Sequence, residues 1–177
     1  MAGKSYLLGM ILVSFSYAYA AGGAGSIGTV SARGDLRVDG YMVSGNGTLF
    51  NGTAVETEQA TATLRLDNGT EIKLAINSHG VVYRDHLVLL QGKSQVKTSG
   101  SPFHLEADGL RVSPSGPNSL GVIALRPAST VDVAALTGEF RIADDAGLSV
   151  AHVVTGAAMS FHPAQQAAAP GDSSFIN

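Results

Sequence analysis

The sequence predicts an all-β domain of many short antiparallel strands, arranged as a β-roll, a short β-solenoid or a sandwich. Runs rich in Thr, Val and Leu alternate between apolar and polar residues, and a period of two is typical of half-buried strands. No ten-residue stretch with helical periodicity follows the N-terminal segment, and strands without helices indicate an all-β fold. The predicted turns are Asp39-Gly40, Asn46-Gly47, Asn51-Gly52, Asn68-Gly69, Asp108-Gly109 and Gly116-Pro117-Asn118.

The first 20 residues have the three-part pattern of a secretory signal peptide. Lys4 precedes an apolar run over residues 6–15, and Ala18 and Ala20 occupy the small-residue positions before a cleavage point. We expect a signal helix over residues 1–20 and cleavage after Ala20. The mature bacterial protein would then be periplasmic or secreted and would have no membrane span. No charged residue follows the run before Arg33, so an uncleaved N-terminal anchor is the alternative.

Residues 21–27 are expected to be a Gly-rich spacer, although residues 23–28 match G-x-G-x-x-G. The dinucleotide fingerprint follows a strand and opens a helix, and neither is predicted here, so we reject it. The β domain is expected over residues 28–162. The Ala/Pro/Gly-rich tail, 163–177, has little to bury and is expected to be disordered. The predicted strands are 29–32, 36–38, 41–43, 61–66, 71–76, 81–84, 87–90, 94–97, 103–107, 110–112, 120–125, 130–134, 139–143, 149–154 and 157–161.

The clearest predicted element is a hairpin over residues 64–78, with its turn at Asp67-Asn68-Gly69. A two-residue Asn-Gly loop would place the apolar residues of the two strands on opposite faces, which is costly when one face is buried. A three-residue loop pairs Leu64 with Ile72 and Ala62 with Leu74 instead. We therefore predict a type I turn with a left-handed Gly69 in a bulge.

A weak internal repeat favours the roll or solenoid. Residues 90–96 resemble residues 136–142, and each segment turns at its glycine, Gly92 or Gly138. Two copies are fewer than the three expected of a repeat array.

Composition excludes several classes of function. The chain has 177 residues, enough for one domain, with 45% hydrophobic and only 14% charged residues. Its net charge is −3 and no Lys/Arg cluster occurs, which argues against nucleic-acid binding. The absence of cysteine excludes disulfides, thiolate metal sites, cysteine catalysis and a lipid-modified cysteine anchor.

No catalytic, cofactor-binding or metal-binding residue can be assigned from the sequence. The histidines show no metal-ligand spacing and are expected at the surface or at strand ends; they are His79, His86, His104, His152 and His162. The carboxylates have no fixed separation for glycoside hydrolysis, and Asp144-Asp145 is expected to be a turn. The other carboxylates considered are Glu56, Glu58, Glu71, Glu106 and Glu139. Trp is absent and aromatic residues total 6%, which leaves few platforms for sugars.

Three short motifs are interpreted as local structure or chance. Residues 94–97 match S-x-x-K and residues 97–100 loosely echo K-T-G, but in penicillin-recognising enzymes S-x-x-K opens a helix, whereas a strand is predicted here. Arg33-Gly34-Asp35 is expected to be a turn rather than an integrin ligand. The sequons at Asn46, Asn51 and Asn68 are also interpreted as turns. Since no catalytic motif is found, we expect that the protein is not an enzyme.

Ordered motifs over roughly residues 28–161 resemble the FecR-type domain of bacterial periplasmic regulators. Residues 62–74 are similar to its A-x-L-x-L-x-D/N-G-[ST]-x-[IV]-x-L core, and Asn77-Ser78 to the N-S that follows. Further matches are residues 28–30 at the start, 51–57 with G-[DT]-x-V-x-T, 88–96 with V-x-L-x-x-G-x-x-x-V, 102–105 with P-F-x-V, 131–142 with a second G-containing pair, and 154–156 with the closing V-x-x-G.

The resemblance implies a non-enzymatic all-β domain that senses or transmits a signal by contacting an envelope protein, either a transporter or a regulator. In the best-known members this contact couples an outer-membrane transporter to a sigma factor. Here no anti-sigma segment or transmembrane helix precedes the domain and no transporter-contacting module follows it, so we expect a stand-alone interaction domain. The alternative is a module that binds envelope polysaccharide, and a weaker one is an enzyme with a site built from distant strands.

Overall fold

A computed structural model describes residues 25–162, and this part of the chain is entirely strand, turn and loop. The all-β prediction is therefore confirmed. None of its elements is a helix long and apolar enough to cross a membrane. The signal helix, the cleavage point, most of the spacer and the tail lie outside the described residues. The strands are β1 (Gly28–Val38), β2 (Tyr41–Leu49), β3 (Thr53–Thr57), β4 (Ala62–Leu66), β5 (Glu71–Leu74), β6 (Ser78–Val82), β7 (His86–Lys97), β8 (His104–Ala107), β9 (Leu110–Pro114), β10 (Leu120–Arg126), β11 (Thr130–Thr137), β12 (Phe140–Asp144), β13 (Ser149–Val153) and β14 (Ala158–Phe161).

Six strands close into a flattened barrel in the order β1, β3, β6, β7, β5 and β4. The long strands β1 and β7 make this closure possible, because each changes neighbours along its length. The first half of β1 pairs with β4 and its second half with β3. The first half of β7 pairs with β6 and its second half with β5.

The remaining strands extend the barrel as two ladders. From the first half of β7 the order continues through β8, β9, β12 and β13, and from its second half through β10, β11 and β14. At the other end, β2 pairs along both halves of β1. All pairings between the described strands are antiparallel except β7–β8, which is parallel. Buried side chains of the barrel, such as Leu64 and Ile72, and of both ladders, such as Leu105 and Val133, belong to one hydrophobic core.

The predicted hairpin register is confirmed. Leu64 pairs with Ile72 and Ala62 with Leu74, and the amide of Gly69 donates to the carbonyl of Leu66 at 3.0 Å. Gly69 has φ +85°, as a bulge after a type I turn requires. The apolar residues of both strands consequently face the core.

The structure extends the weak sequence repeat into a duplicated arrangement of strands. The β3–β6 pairing recurs 41 residues later as the second half of β7 with β10, in the same register. The β6–β7 pairing recurs as β10–β11, and an irregularity in the register falls at the same place in both pairs. Corresponding pairs are Thr53–Val82 and Ser94–Ile123, Val55–Gly80 and Val96–Gly121, and Val81–Val88 and Val122–Ala134.

Two glycines bend the chain at equivalent points of the two copies. Gly92 has φ +82° within β7, and Gly138 has φ +74° between β11 and β12. A Cβ atom on Gly92 would lie 2.5 Å from the carbonyl oxygen of Asn77, and one on Gly138 would lie 2.5 Å from Ser119 Oγ. Both positions therefore require glycine for its conformation and for its small size.

Several local predictions were wrong. Residues 29–32 and 36–38 form one strand, β1, in which Arg33-Gly34-Asp35 is not a turn between strands but lies at a break in the register between Ser31 and Asp35. Residues 87–90 and 94–97 likewise form one strand, β7. Asn46-Gly47 lies within β2, and β3 was not predicted as a strand.

Candidate functional site

The first candidate site is the set of strands with a free edge, which we call the open edges: β2, β13 and β14. Within the described residues, β2 pairs only with β1, β13 only with β12 and β14 only with β11. A free edge presents unpaired backbone N–H and C=O groups that can accept another strand. The open edge β2 lies at one end of the molecule, and β13 and β14 lie at the far ends of the two ladders.

The open edges lack the residues that normally protect a free edge. Soluble proteins place Lys, other charged residues or Pro on such strands to prevent pairing. None of the open edges contains Asp, Glu, Lys, Arg or Pro. Of the other eleven strands in the described chain, all but β6 contain at least one charged residue. The charges are therefore concentrated on strands that are already paired on both sides.

Large apolar side chains are exposed on and beside the open edges. Tyr41 and Met42 of β2 are 77% and 60% exposed, and Met159 of β14 is 42% exposed. Met159 pairs with the buried Val133, so it faces the core at a point where no further strand covers it. A strand added at these edges could pack its alternate side chains against them.

A polar pocket of about 320 Å³ adjoins β2 at the break in β1. Arg33, Asp35, Arg37, Met42 and Glu58 contribute to its lining. Arg37 Nε pairs with Glu58 Oε1 at 3.2 Å, so charged groups border the uncharged β2 on one side. The tripeptide that the sequence analysis interpreted as a turn is thus part of the rim of this open edge.

The second candidate site is a stack of three rings, Tyr83, His86 and His104, which we call the histidine stack. The centroids of the Tyr83 and His86 rings lie 4.3 Å apart with 9° between the planes. Those of His86 and His104 lie 5.0 Å apart at 14°. The parallel β7–β8 pairing creates this stack, because it sets His86 directly opposite His104.

Charged groups flank the histidine stack on both strands. His86 Nδ1 lies 2.9 Å from Asp85 Oδ1, and His104 Nε2 lies 3.2 Å from Glu106 Oε1. Arg111 Nη2 donates to the same Glu106 oxygen at 3.0 Å. One carboxylate is thereby shared between an imidazole and a guanidinium, which limits the proton affinity that Glu106 can confer on His104.

The pKa directions follow from this arrangement. Burial lowers the pKa of His104. The hydrogen bond to Glu106 acts to raise it, and the positive charge of Arg111 offsets part of that effect. Burial acts to raise the pKa of Glu106, but hydrogen bonds from Arg111 and His104 prevail and lower it. The hydrogen bond with His86 lowers the pKa of Asp85. The stack therefore favours neutral His104 beside ionised carboxylates.

The other sequence candidates are not brought into a reactive arrangement. Ser94 is buried while Lys97 is exposed on the opposite face of β7, so the S-x-x-K match has no shared site. Within residues 25–162, no three His, Asp or Glu side chains are grouped so that they could hold a metal ion. His86 and His104 begin their strands, and His152 and His162 are exposed, which confirms the predicted positions of these histidines.

Carboxylates do cluster at one place that the sequence analysis missed. Glu106, Asp108, Asp144 and Asp145 line a shallow pocket of about 280 Å³ beside Arg111. Asp144 Oδ1 accepts the amide of Leu148 at 2.8 Å, which fixes the predicted Asp144-Asp145 turn. These contacts explain the cluster as a turn and an ion pair.

Neither a protein-family model nor a curated protein sequence matches the chain. The resemblance to the FecR family therefore rests on the ordered motifs alone.

Proposed function

We propose that this chain is an exported, non-enzymatic protein-interaction domain of the FecR type in the bacterial cell envelope. It binds an envelope protein, a transporter or a regulator, through its open edges. The observation that carries the proposal is the absence of charge and proline from β2, β13 and β14. A partner strand added there gains main-chain hydrogen bonds, and its alternate side chains meet the exposed apolar residues.

The histidine stack is less suited to be the binding surface. His86 stacks on both Tyr83 and His104, so its ring faces are occupied within the protein. The side chains of His86 and His104 are only 23% and 22% exposed. A sugar-binding platform needs a free aromatic face, which His86 lacks. Tyr41 of β2 is 77% exposed and lies at an edge that can also pair with a peptide.

The resemblance supports the choice of partner class. Its motifs span roughly residues 28–161, and the hairpin at their centre packs its apolar residues into the core. These motifs build the scaffold and leave the edges free for contact. Signal sensing in the envelope, which the resemblance implies, would then proceed by strand addition rather than by catalysis.

The test is photo-crosslinking in living bacteria that express the exported chain with a photoreactive amino acid in place of Met42. We expect a covalent product with one envelope protein, and we expect Thr48→Lys in β2 to abolish it. Thr29→Lys is the matched control, because Thr29 pairs directly with Thr48 and is also exposed, but lies on β1, which is paired on both sides.

Recovery of polysaccharide alone would overturn the proposal in favour of the envelope-polysaccharide module. Equal loss of the product in the Thr48→Lys and Thr29→Lys variants would show that binding does not use the edge of β2. The test is completed by showing that the captured protein binds the purified chain and that Thr48→Lys abolishes this binding.

A further inference from the structure

We propose that a second copy of this chain binds at the open edges, head to tail, with β2 of one copy pairing to β13 and β14 of the next. This inference rests on the proposed function, because both use the same edges. It differs in the occupant, which is the chain itself.

The two ends of the molecule match in the number of ladders that they expose. Residues 41–44 of β2 lie beside the second half of β1, in the ladder that ends at β13. Residues 46–49 of β2 lie beside the first half of β1, in the ladder that ends at β14. One strand therefore terminates both ladders at one end, and two strands terminate them at the other.

The lengths of these strands also match. The nine residues of β2 change ladders near Gly45, which has φ +88°. The facing strands of the next copy are the five residues of β13 and the four of β14. Each half of β2 thus meets a strand of about its own length.

Strand directions agree with such a contact. Following the pairings from β1 through either ladder, β13 and β14 both run in the same direction as β1. β2 is antiparallel to β1. A copy added by displacement along the ladders would therefore place its β13 and β14 antiparallel to β2, which is the pairing used almost everywhere else in the fold.

Side-chain chemistry favours the same contact. No charge on any of the three strands opposes another, and like charges across strands would be unfavourable. Met159 faces the core from β14 and is 42% exposed, and Val43 of β2 packs against the core while remaining partly exposed. Joining the ends would continue the core of one copy into the next.

The duplication inside the chain has the same polarity. The first copy, from β3 to the first half of β7, lies in the ladder that ends at β13, and the second copy, from the second half of β7 to β11, follows it in the ladder that ends at β14. A heterologous contact between chains would continue this polarity. Heterologous contacts that do not close into a ring generate linear oligomers.

Single-cysteine variants test the geometry, because the natural chain has no cysteine. Thr48→Cys labels β2 and Ser160→Cys labels β14, and both residues are exposed. A short thiol-specific bifunctional reagent should join the two variants when the full chains are mixed, and should give little product with either variant alone. Products of Thr48→Cys with itself would instead indicate a symmetric β2–β2 dimer and overturn the proposal.

Sedimentation of the full chain provides the second measurement. We expect oligomers whose size increases with concentration, and we expect Thr48→Lys to weaken association at least about tenfold while Thr29→Lys leaves it nearly unchanged. Circular dichroism verifies that both variants are folded, and Ser160→Lys on β14 is the second variant from the opposite end.

The outcomes separate this inference from the proposed function. A wild-type chain that remains monomeric, but whose capture of an envelope protein is lost with Thr48→Lys, overturns self-association and leaves the proposed function intact. If Thr48→Lys changes neither self-association nor capture, both are overturned.

Discussion

The two copies of the duplicated arrangement share their strand register but differ in the hydrogen bonds made by an equivalent buried threonine. Thr57 and Thr98 occupy equivalent positions and are 3% and 2% exposed. Thr57 Oγ1 accepts the Ser78 amide at 2.9 Å and donates to the Ala75 carbonyl at 2.5 Å. Thr98 Oγ1 has one long contact, 3.5 Å to the Ser119 carbonyl. Thr57 and Thr98 are thus equally buried but unequally hydrogen-bonded.

The first copy also lies in the closed barrel, whereas the second leads to the open edge β14. Strands β3 to β6 are paired on both sides, while the ladder that continues from the second copy through β11 ends at β14. The comparison indicates that one strand arrangement can serve two purposes. Where its polar contacts are complete it lies within the closed barrel, and where its last strand is uncovered it presents a free edge.

The largest expected effect is at the glycine bends. Gly92→Ala should lower the free energy of unfolding by about 4 kcal/mol, because left-handed φ is unfavourable for alanine and the new Cβ meets backbone atoms of the first copy. Gly138→Ala should cost less, about 3 kcal/mol, because its nearest backbone atom is 3.2 Å from the new Cβ, whereas the Asn77 carbonyl oxygen is 2.5 Å from the Cβ position of Gly92. Urea denaturation of both variants measures the difference.

Gly156→Ala is the control for backbone conformation alone. Gly156 has φ +81° and no atom within 4 Å of its would-be Cβ, so its loss should be about 1 kcal/mol. Adding Ser119→Ala should recover part of the loss in Gly138→Ala. Adding Ser78→Ala should recover little in Gly92→Ala, because the Asn77 carbonyl remains in place. Equal losses at all three glycines would contradict the role of close packing.

Intermediate effects are expected at the paired threonines. Thr57→Val should cost about 2 kcal/mol, since it leaves the buried Ser78 amide and Ala75 carbonyl without a partner. Thr98→Val should cost about 0.5 kcal/mol or less, because the bond that it removes is long and weak. The same denaturation experiment compares them, and a larger loss at Thr98 would remove the proposed difference between the copies.

The sequence was sufficient for the fold class and for the central hairpin, because both depend on local patterns. The apolar residues of β4 and β5 alternate visibly, and only the three-residue loop brings Leu64 and Ile72 to one face. The strand β3 was missed because two of its three buried residues are threonines, Thr53 and Thr57. Their burial depends on hydrogen bonds with neighbouring chain segments, which apolar periodicity does not report.

Three features of the candidate sites depend on tertiary structure and could not be predicted from local patterns. Gly47 was expected in a turn, but it lies in β2, and a Cβ atom on it would lie 3.2 Å from Val30 Cγ1. This glycine therefore lets β2 pack closely against β1. The histidine stack joins His86 and His104 through a parallel pairing, which sequence spacing does not indicate. That three of the four described strands without a charged residue are the open edges also became apparent only from the strand order.

The smallest expected effect concerns the histidine stack, which joins the first half of β7, in the first copy, to β8, the first strand of the ladder that ends at β13. The folded-state pKa of His104 lies below the reference value of 6.5. The unfolded chain therefore binds more protons, and stability falls as the pH decreases from about 6.5 towards the folded-state pKa. The lowered pKa values of Asp85 and Glu106 have a separate window, because their contribution is lost only as the pH falls below about 4.5.

His104→Gln separates these windows. It should remove the loss of stability that begins near pH 6.5 and leave the loss below about pH 4.5, measured as the urea midpoint against pH. His152→Gln, at an exposed position of the open edge β13, is the matched control for replacing a histidine by glutamine. If the profile of His104→Gln is unchanged, the loss of stability that begins near pH 6.5 does not come from His104. A change confined to His104→Gln would make the β7–β8 contact, and not the open edge β13, the acid-sensitive part of the fold.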